Sequence, residues 1–240
     1  MKKIIVFTTI CIIPFLLAGC LYPDKELAKN KIPPKVQLET VQRAVDAYRE
    51  DTKGLLPIKT KPEDTPIYEQ HLIDFQPLKE RGLIDQIPGS AFENGGFYQY
   101  AILNPDRKPT VKVIDLRMAE KLRTVQARLQ TYRQMNTYPP FGKPITSTLY
   151  ELDYKKLKLK QRPTVESPYS HKQLPIIMDT DGKLYVDYRI DFYELIQKQP
   201  EKTKVAVDLR ELLAANSPVL PAYSMRAIDV NGEPEYQTDK

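Results

Sequence analysis

The spacing of apolar residues changes several times along the chain, and each spacing predicts a different element. Lys2 and Lys3 precede an uncharged, largely apolar run from Ile4 to Leu17, followed by the small residues Ala18 and Gly19. This layout is that of a secretory signal peptide, too short to cross a bilayer as a stable helix. Leu38, Val41, Val45 and Tyr48 then fall on one stripe of an amphipathic helix, with Gln42, Arg43, Asp46 and Arg49 on its other faces. The same stripe returns 84 residues later as Leu122, Val125, Leu129 and Tyr132. Six of the twelve positions in this window are identical, among them Thr40/Thr124, Gln42/Gln126 and Arg49/Arg133. Unrelated sequences of ordinary composition would share roughly one, so the spacing reads as an internal duplication. Each helix is stopped by a proline-bearing break, Leu55-Leu56-Pro57 and Tyr138-Pro139-Pro140.

After each helix the apolar period shortens toward that of strands. Phe97 to Leu103 and Thr110 to Ile114 flank Asn104-Pro105-Asp106-Arg107, which predicts a hairpin. A second hairpin is expected from Leu174 to Met178 and Leu184 to Tyr188 around Asp179-Thr180-Asp181-Gly182, because Asp-Gly accepts the positive φ of tight turns. Leu78 to Leu83 predicts a short helix capped by Gly82, and Asp208 to Leu213 another. Ala227 to Gly232 carries a further hairpin signal. Val113-Ile114-Asp115-Leu116-Arg117 is echoed by Val205-Ala206-Val207-Asp208-Leu209-Arg210, so a strand-to-helix junction is reused. These elements predict an α+β chain of tandem helix-plus-hairpin modules. The expected divisions are a signal peptide at 1–19, a polar tether at 20–36, modules at 37–117 and 118–199, and a partial third module at 200–240.

Composition narrows the picture in three ways. Cys11 lies in the predicted leader and Cys20 directly after it, and no other cysteine exists, so the fold is expected to stand without a disulfide. The formal charge is +5, of which Lys2 and Lys3 supply two, too mild a surplus to argue for nucleic acid. Fifteen Tyr against seven Phe and no Trp suit half-buried strands and wet surfaces better than a dry aromatic pocket.

Leu17-Ala18-Gly19-Cys20 resembles the bacterial lipobox. That resemblance implies a diacylglyceryl, palmitate-bearing thioether on Cys20 and a protein held at the outer face of the cytoplasmic membrane by its lipid. Residues 38 to 114, and more loosely 122 to 188, resemble the globular half of type II secretion pseudopilins. The resemblance is carried by the helix, the proline-rich loop, Leu78, Gly82, Leu83 and Pro88, and Tyr98-x-Tyr100. It implies an α+β module, while the lipobox replaces the long apolar helix through which pilins enter the membrane. Through its lipobox, tether and length the whole chain is similar to the YphF-like lipoproteins of endospore-forming bacilli, a resemblance that implies no mechanism.

Candidate chemistry is sparse. His71 and His171 sit in polar loops without a metal-ligand spacing, and nucleophile-elbow, dinucleotide and phosphate-loop motifs are absent from the sequence. Asp179-Thr180-Asp181-Gly182 lacks the later ligands of a calcium loop and reads as a hairpin turn. No catalytic residue, cofactor or metal is therefore expected. Lys155, Lys156, Lys158, Lys160 and Arg162 alternate with Leu157 and Leu159, which predicts a strand with one basic face. That face is either a solvated, aggregation-resistant edge or a contact for anionic lipid or wall polymer. The expected function is a membrane-anchored binding or assembly module of the cell envelope, with another envelope protein or an anionic wall polymer as partner. The alternatives are an envelope-acting enzyme and a solute-binding lipoprotein of a transporter.

Overall fold

The computed structural model describes residue 33, residues 35–204 and residues 207–237. The predicted leader, Cys20 and nearly all of the predicted tether lie outside the described residues. Helix α1 (Lys35–Asp51) buries Val41, Ala44 and Val45 and half-buries Leu38 and Tyr48, as its stripe requires. A short helix α2 (Gln76–Glu80) follows, with Gly82 just beyond it at φ 67°, in the left-handed region that ends helices. Strands β1 (Tyr98–Leu103) and β2 (Thr110–Asp115) then pair antiparallel, with Tyr98 opposite Asp115 and Leu103 opposite Thr110.

Alternation along β1 points Tyr98, Tyr100 and Ile102 at α1 and turns Ala101 to the other side. One side chain locks helix to hairpin. Gln42 accepts a hydrogen bond from the Val111 backbone N–H at 2.7 Å and donates to the Pro109 carbonyl at 3.1 Å. The hairpin is covered on its second face as well, where Ala101 and Ile114 meet Tyr68, Leu72, Ala214, Leu220 and Ala222.

Helix α3 (Leu116–Arg133) opens the second unit and buries Met118, Leu122, Val125 and Leu129. Both predicted stripes are therefore core. The strands that follow, β3 (Phe141–Pro144), β4 (Leu149–Leu152), β5 (Thr164–Glu166), β6 (Gln173–Asp179) and β7 (Leu184–Val186), form one five-stranded sheet. The long β6 lies at its centre, pairing with β4, β5 and β7. Its Leu174, Ile176, Ile177 and Met178 are all fully buried. At the β6–β7 turn Gly182 takes φ 87°, and the Arg133 guanidinium at the end of α3 donates to the Asp181 carbonyl at 2.8 Å. Arg133 thus ties the helix to its hairpin, as Gln42 does in the first unit.

The chain closes with α4 (Arg189–Lys198), α5 (Pro200–Thr203), α6 (Leu209–Asn216) and the hairpin β8 (Ala227–Val230) and β9 (Glu233–Tyr236). Among the described residues, 200–240 build no separate core. Leu209, Leu213, Ala227 and Tyr236 join the second unit's core, while Val219 joins the first. Val113 donates to the Pro218 carbonyl at 3.0 Å, and Leu220 donates to the Val113 carbonyl at 2.8 Å, so the C-terminal segment extends the edge of β2. The class is α+β, and its two units are sewn together by this segment.

The basic run departs from the strand expected of it. Residues 155–162 are not a strand. Residues 154–158 form a single turn: the Asp153 side chain caps the Lys156 N–H at 3.3 Å, Lys158 donates to the Lys155 carbonyl at 2.9 Å, and Leu159 donates to the Tyr154 carbonyl at 3.0 Å. This is the bond pair of a helix C-terminus, with Lys158 left-handed at φ 55°. Leu157 and Leu159 both face inward because the backbone reverses hand between them, not because a strand alternates.

Candidate functional site

Three junctions of the fold repeat one device. Asp115, Asp187 and Asp208 each stand just before a helix, and each accepts from the backbone N–H two residues on, at 3.0, 3.2 and 3.0 Å. In each the residue two positions on is an arginine whose guanidinium bonds back to the same carboxylate, at 2.5, 2.6 and 2.7 Å. Each guanidinium also lies over a tyrosine ring: Arg117 over Tyr98 at 5.6 Å, Arg189 over Tyr236 at 5.9 Å and Arg210 over Tyr68 at 5.7 Å. A carboxylate at a helix start neutralises orphan N–H groups, and its own charge is met by the fork of the arginine. These three clasps are made of paired charges; the first two hold a helix to a strand, and the third holds α6 to the turn that carries Tyr68. The likeness of 113–117 to 205–210 marks two of them in the sequence as a reused junction without showing the clasp, and the third is present as Asp187-Tyr188-Arg189.

The first clasp also floors a cleft of about 270 Å³ between the two units, where Tyr98, Asp115, Arg117 and Lys121 face Glu166 and His171. Arg117 donates to the Tyr98 hydroxyl at 3.0 Å, and His171 Nδ1 lies 3.0 Å from Glu166. Burial, followed by the nearby Asp115 charge, pushes the Tyr98 phenol up to about 12. His71 does not join this cleft; its carbonyl serves the sheet by accepting from the Ile102 N–H at 2.8 Å. Nearby, Asp191 is buried under the Ser167 hydroxyl, which donates to both carboxylate oxygens at 2.9 Å. Burial raises its pKa above the ordinary aspartate value of 3.8, and hydrogen bonds from Ser170 and Ser167 oppose the rise. The Ser167 hydroxyl also accepts from the Tyr169 and Ser170 backbone N–H groups, at 3.0 and 3.1 Å, so it ties the turn at 167–170 to α4.

The predicted basic residues lie elsewhere, on the turn after β4. Lys155, Lys156, Lys158 and Lys160 are exposed, whereas Leu157 is buried and Leu159 packs partly against the same core. Arg162 stands apart from them: it is half-buried and paired to Glu151 at 3.1 Å. Lys156 has Asp153 at 3.7 Å. Two leucine anchors therefore hold out a loop that presents four ammonium groups to solvent. Sequence reasoning found the charge and the anchors but missed what stands beside them. Met135 and Tyr138, on the loop after α3, are 79% and 74% exposed, the two most exposed large apolar residues among those described.

Among the described residues no group of His, Cys, Asp and Glu is placed to hold a metal, and no helix is long and apolar enough to cross a membrane. Comparison with curated proteins and with solved structures finds no match. Residues 34–115 match the model of the YphF family N-terminal domain, a stretch that runs from the start of α1 to the Asp115 cap and so covers the first helix-and-hairpin unit.

Proposed function

We propose that this protein is a lipid-anchored binding and assembly module on the outer face of the cytoplasmic membrane, meeting an anionic envelope surface through the turn at 155–160. The observation that carries the reading is the exposed quartet of lysines on a loop pinned by Leu157 and Leu159. The lipobox-like Leu17-Ala18-Gly19-Cys20 supports the anchor. From Cys20 to α1 at Lys35 a chain can reach at most roughly 50 Å, which keeps the folded part near headgroups and wall polymer.

Each lysine near an anionic surface contributes about 1 kcal/mol, and salt erodes that gain. The chain from Leu21 onward retains every described residue and supplies the test: binding to anionic vesicles and to a soluble polyanion at low and at physiological salt. Replacing Lys155, Lys156, Lys158 and Lys160 with Gln is expected to weaken binding by at least about tenfold, the equivalent of about 1.4 kcal/mol. Equal binding by the two proteins would return the turn to the role of a solvated loop.

A further inference from the structure

The register of β3 and β4 places a second feature beside the lysines. Phe141, the first residue of β3, pairs with Leu152, the last residue of β4. The loop entering β3 and the turn leaving β4 therefore emerge from the same end of this strand pair. A backbone bond joins them directly, the Asp153 N–H donating to the Pro140 carbonyl at 2.9 Å. The entering loop carries Met135 and Tyr138, and the leaving turn carries the four lysines.

The loop is built to hold its apolar residues out. Met135 donates to the Tyr132 carbonyl at 3.1 Å, and the Asn136 side-chain amide donates to that same carbonyl at 2.8 Å, so the helix ends in a closed turn. Pro139 and Pro140 then fix the return, with the Phe141 N–H bonded to the Pro139 carbonyl at 2.8 Å. Unlike these two, Leu157 and Leu159 on the neighbouring turn are turned in. Asp153 lies beside Lys156 at 3.7 Å, and Glu151 is paired to Arg162 at 3.1 Å.

We propose that this end of the second unit docks on an anionic lipid bilayer, with Met135 and Tyr138 entering the headgroup region and Lys155, Lys156, Lys158 and Lys160 lying on lipid phosphates. The inference rests on the anionic-surface reading above and commits it to lipid. A soluble polyanion is satisfied by charge alone. A bilayer interface takes charge together with an exposed thioether and a phenol, since tyrosine settles where one end of the ring is apolar and the other wet. Four cations flanking an apolar tip is the combination that gives interfacial binding its two contributions, apolar burial and attraction to anionic headgroups.

The chain contains no tryptophan, so a single introduced indole reports on its own position. Met135→Trp and, separately, Tyr138→Trp are made in the full chain, with Leu55→Trp and Phe92→Trp as comparisons at exposed apolar positions of the first unit. The probes are vesicles of phosphatidylcholine with or without phosphatidylglycerol, each carrying brominated acyl chains that quench an inserted indole. Expected is quenching of at least about twofold at 135 or 138 on the anionic vesicles only, absent at 55 and 92, and removed by Gln at the four lysines. Each protein is also titrated with soluble poly(glycerol phosphate). Salt-sensitive, lysine-dependent binding of that polymer, with the 135 and 138 probes unquenched on vesicles, would overturn docking on lipid and leave the anionic-surface reading standing. Loss of both signals would overturn both. Equal quenching at all four probe positions would also overturn the inference, because it would show attachment without orientation.

Discussion

The two helix-and-hairpin units share a plan and differ in how each is finished. In both, a helix buries an apolar stripe against the hairpin that follows, and one polar side chain bolts helix to hairpin, Gln42 at the base of β2 and Arg133 at the β6–β7 turn. Between helix and hairpin they diverge. The first unit fills that stretch with irregular chain, α2 and isolated bridges such as Ile58 with Ile73. The second inserts three strands and widens its sheet to five. Helix and hairpin bury each other and so constrain each other's sequence, whereas the connecting stretch only has to close. The lysine quartet and the pair Met135 and Tyr138 both lie in that freer stretch of the second unit; the first unit, where the family-domain match lies, exposes Leu55, Ile67 and Phe92 in its own connecting stretch.

The largest effect expected is from breaking either stripe. Val45→Asp and Leu129→Asp each place a carboxylate where exposure is nil, which should cost several kcal/mol and unfold the protein. Denaturant melts would show this as loss of the cooperative transition in both variants. A sharp, undisplaced transition in one of them would mean that its stripe is not core and that the likeness of the units is superficial.

A smaller, graded effect should separate the clasps. Asp187 serves Arg189 and also accepts from the buried Tyr236 hydroxyl at 2.9 Å, so Asp187→Ala strands a phenol and should cost about 3 kcal/mol. Asp115→Ala loses a helix cap and an ion pair whose arginine is half in water, and about 1 to 2 kcal/mol is expected. Urea midpoints in the order wild type, Asp115→Ala, Asp187→Ala would bear this out, and the reverse order would show that the first clasp governs how the units are joined.

Asp191 gives an effect that depends on pH. Its carboxyl holds its proton more tightly folded than unfolded, so the folded state binds more protons and stability falls as pH rises from 3.8 through the raised folded value. Asp191→Asn removes this dependence. The stability of the variant relative to wild type should therefore improve as pH climbs through that window, measured by melts from pH 3 to 7 in roughly half-unit steps. A difference independent of pH would mean that Asp191 does not titrate abnormally. The smallest change is reserved for the surface: Gln at Lys155, Lys156, Lys158 and Lys160 should move the melting temperature by no more than about 1 °C, because exposed charges contribute little to folding. A large drop would place these lysines in the structure rather than at a partner.

Both long helices, the hairpins at 98–115 and 173–186, and the Gly82 stop were legible because each is set by local periodicity or by a residue with a special φ. The seam was not. That Val219 and Leu220 would extend β2 depends on a contact more than a hundred residues away, and nothing local in Pro218-Val219-Leu220 announces its partner. The basic turn was misread for a physical reason: a left-handed lysine is rare, and two leucines spaced by one residue mimic a strand whenever such a residue stands between them. The basic half of the candidate surface was thus visible in composition. Its apolar half was hidden, since Met135 and Tyr138 flank a helix end in a way that reads equally well as core until the register of β3 and β4 is known.

All of this has functional weight only if the protein is held at the membrane, and metabolic labelling with a fatty acid analogue, followed by cell fractionation, tests that directly. The account predicts label on the wild-type protein in the membrane fraction. It also predicts that Cys20→Ala carries none and either enters the medium or accumulates as uncut precursor. Label retained by the Cys20→Ala protein, or an unlabelled wild type, would contradict it.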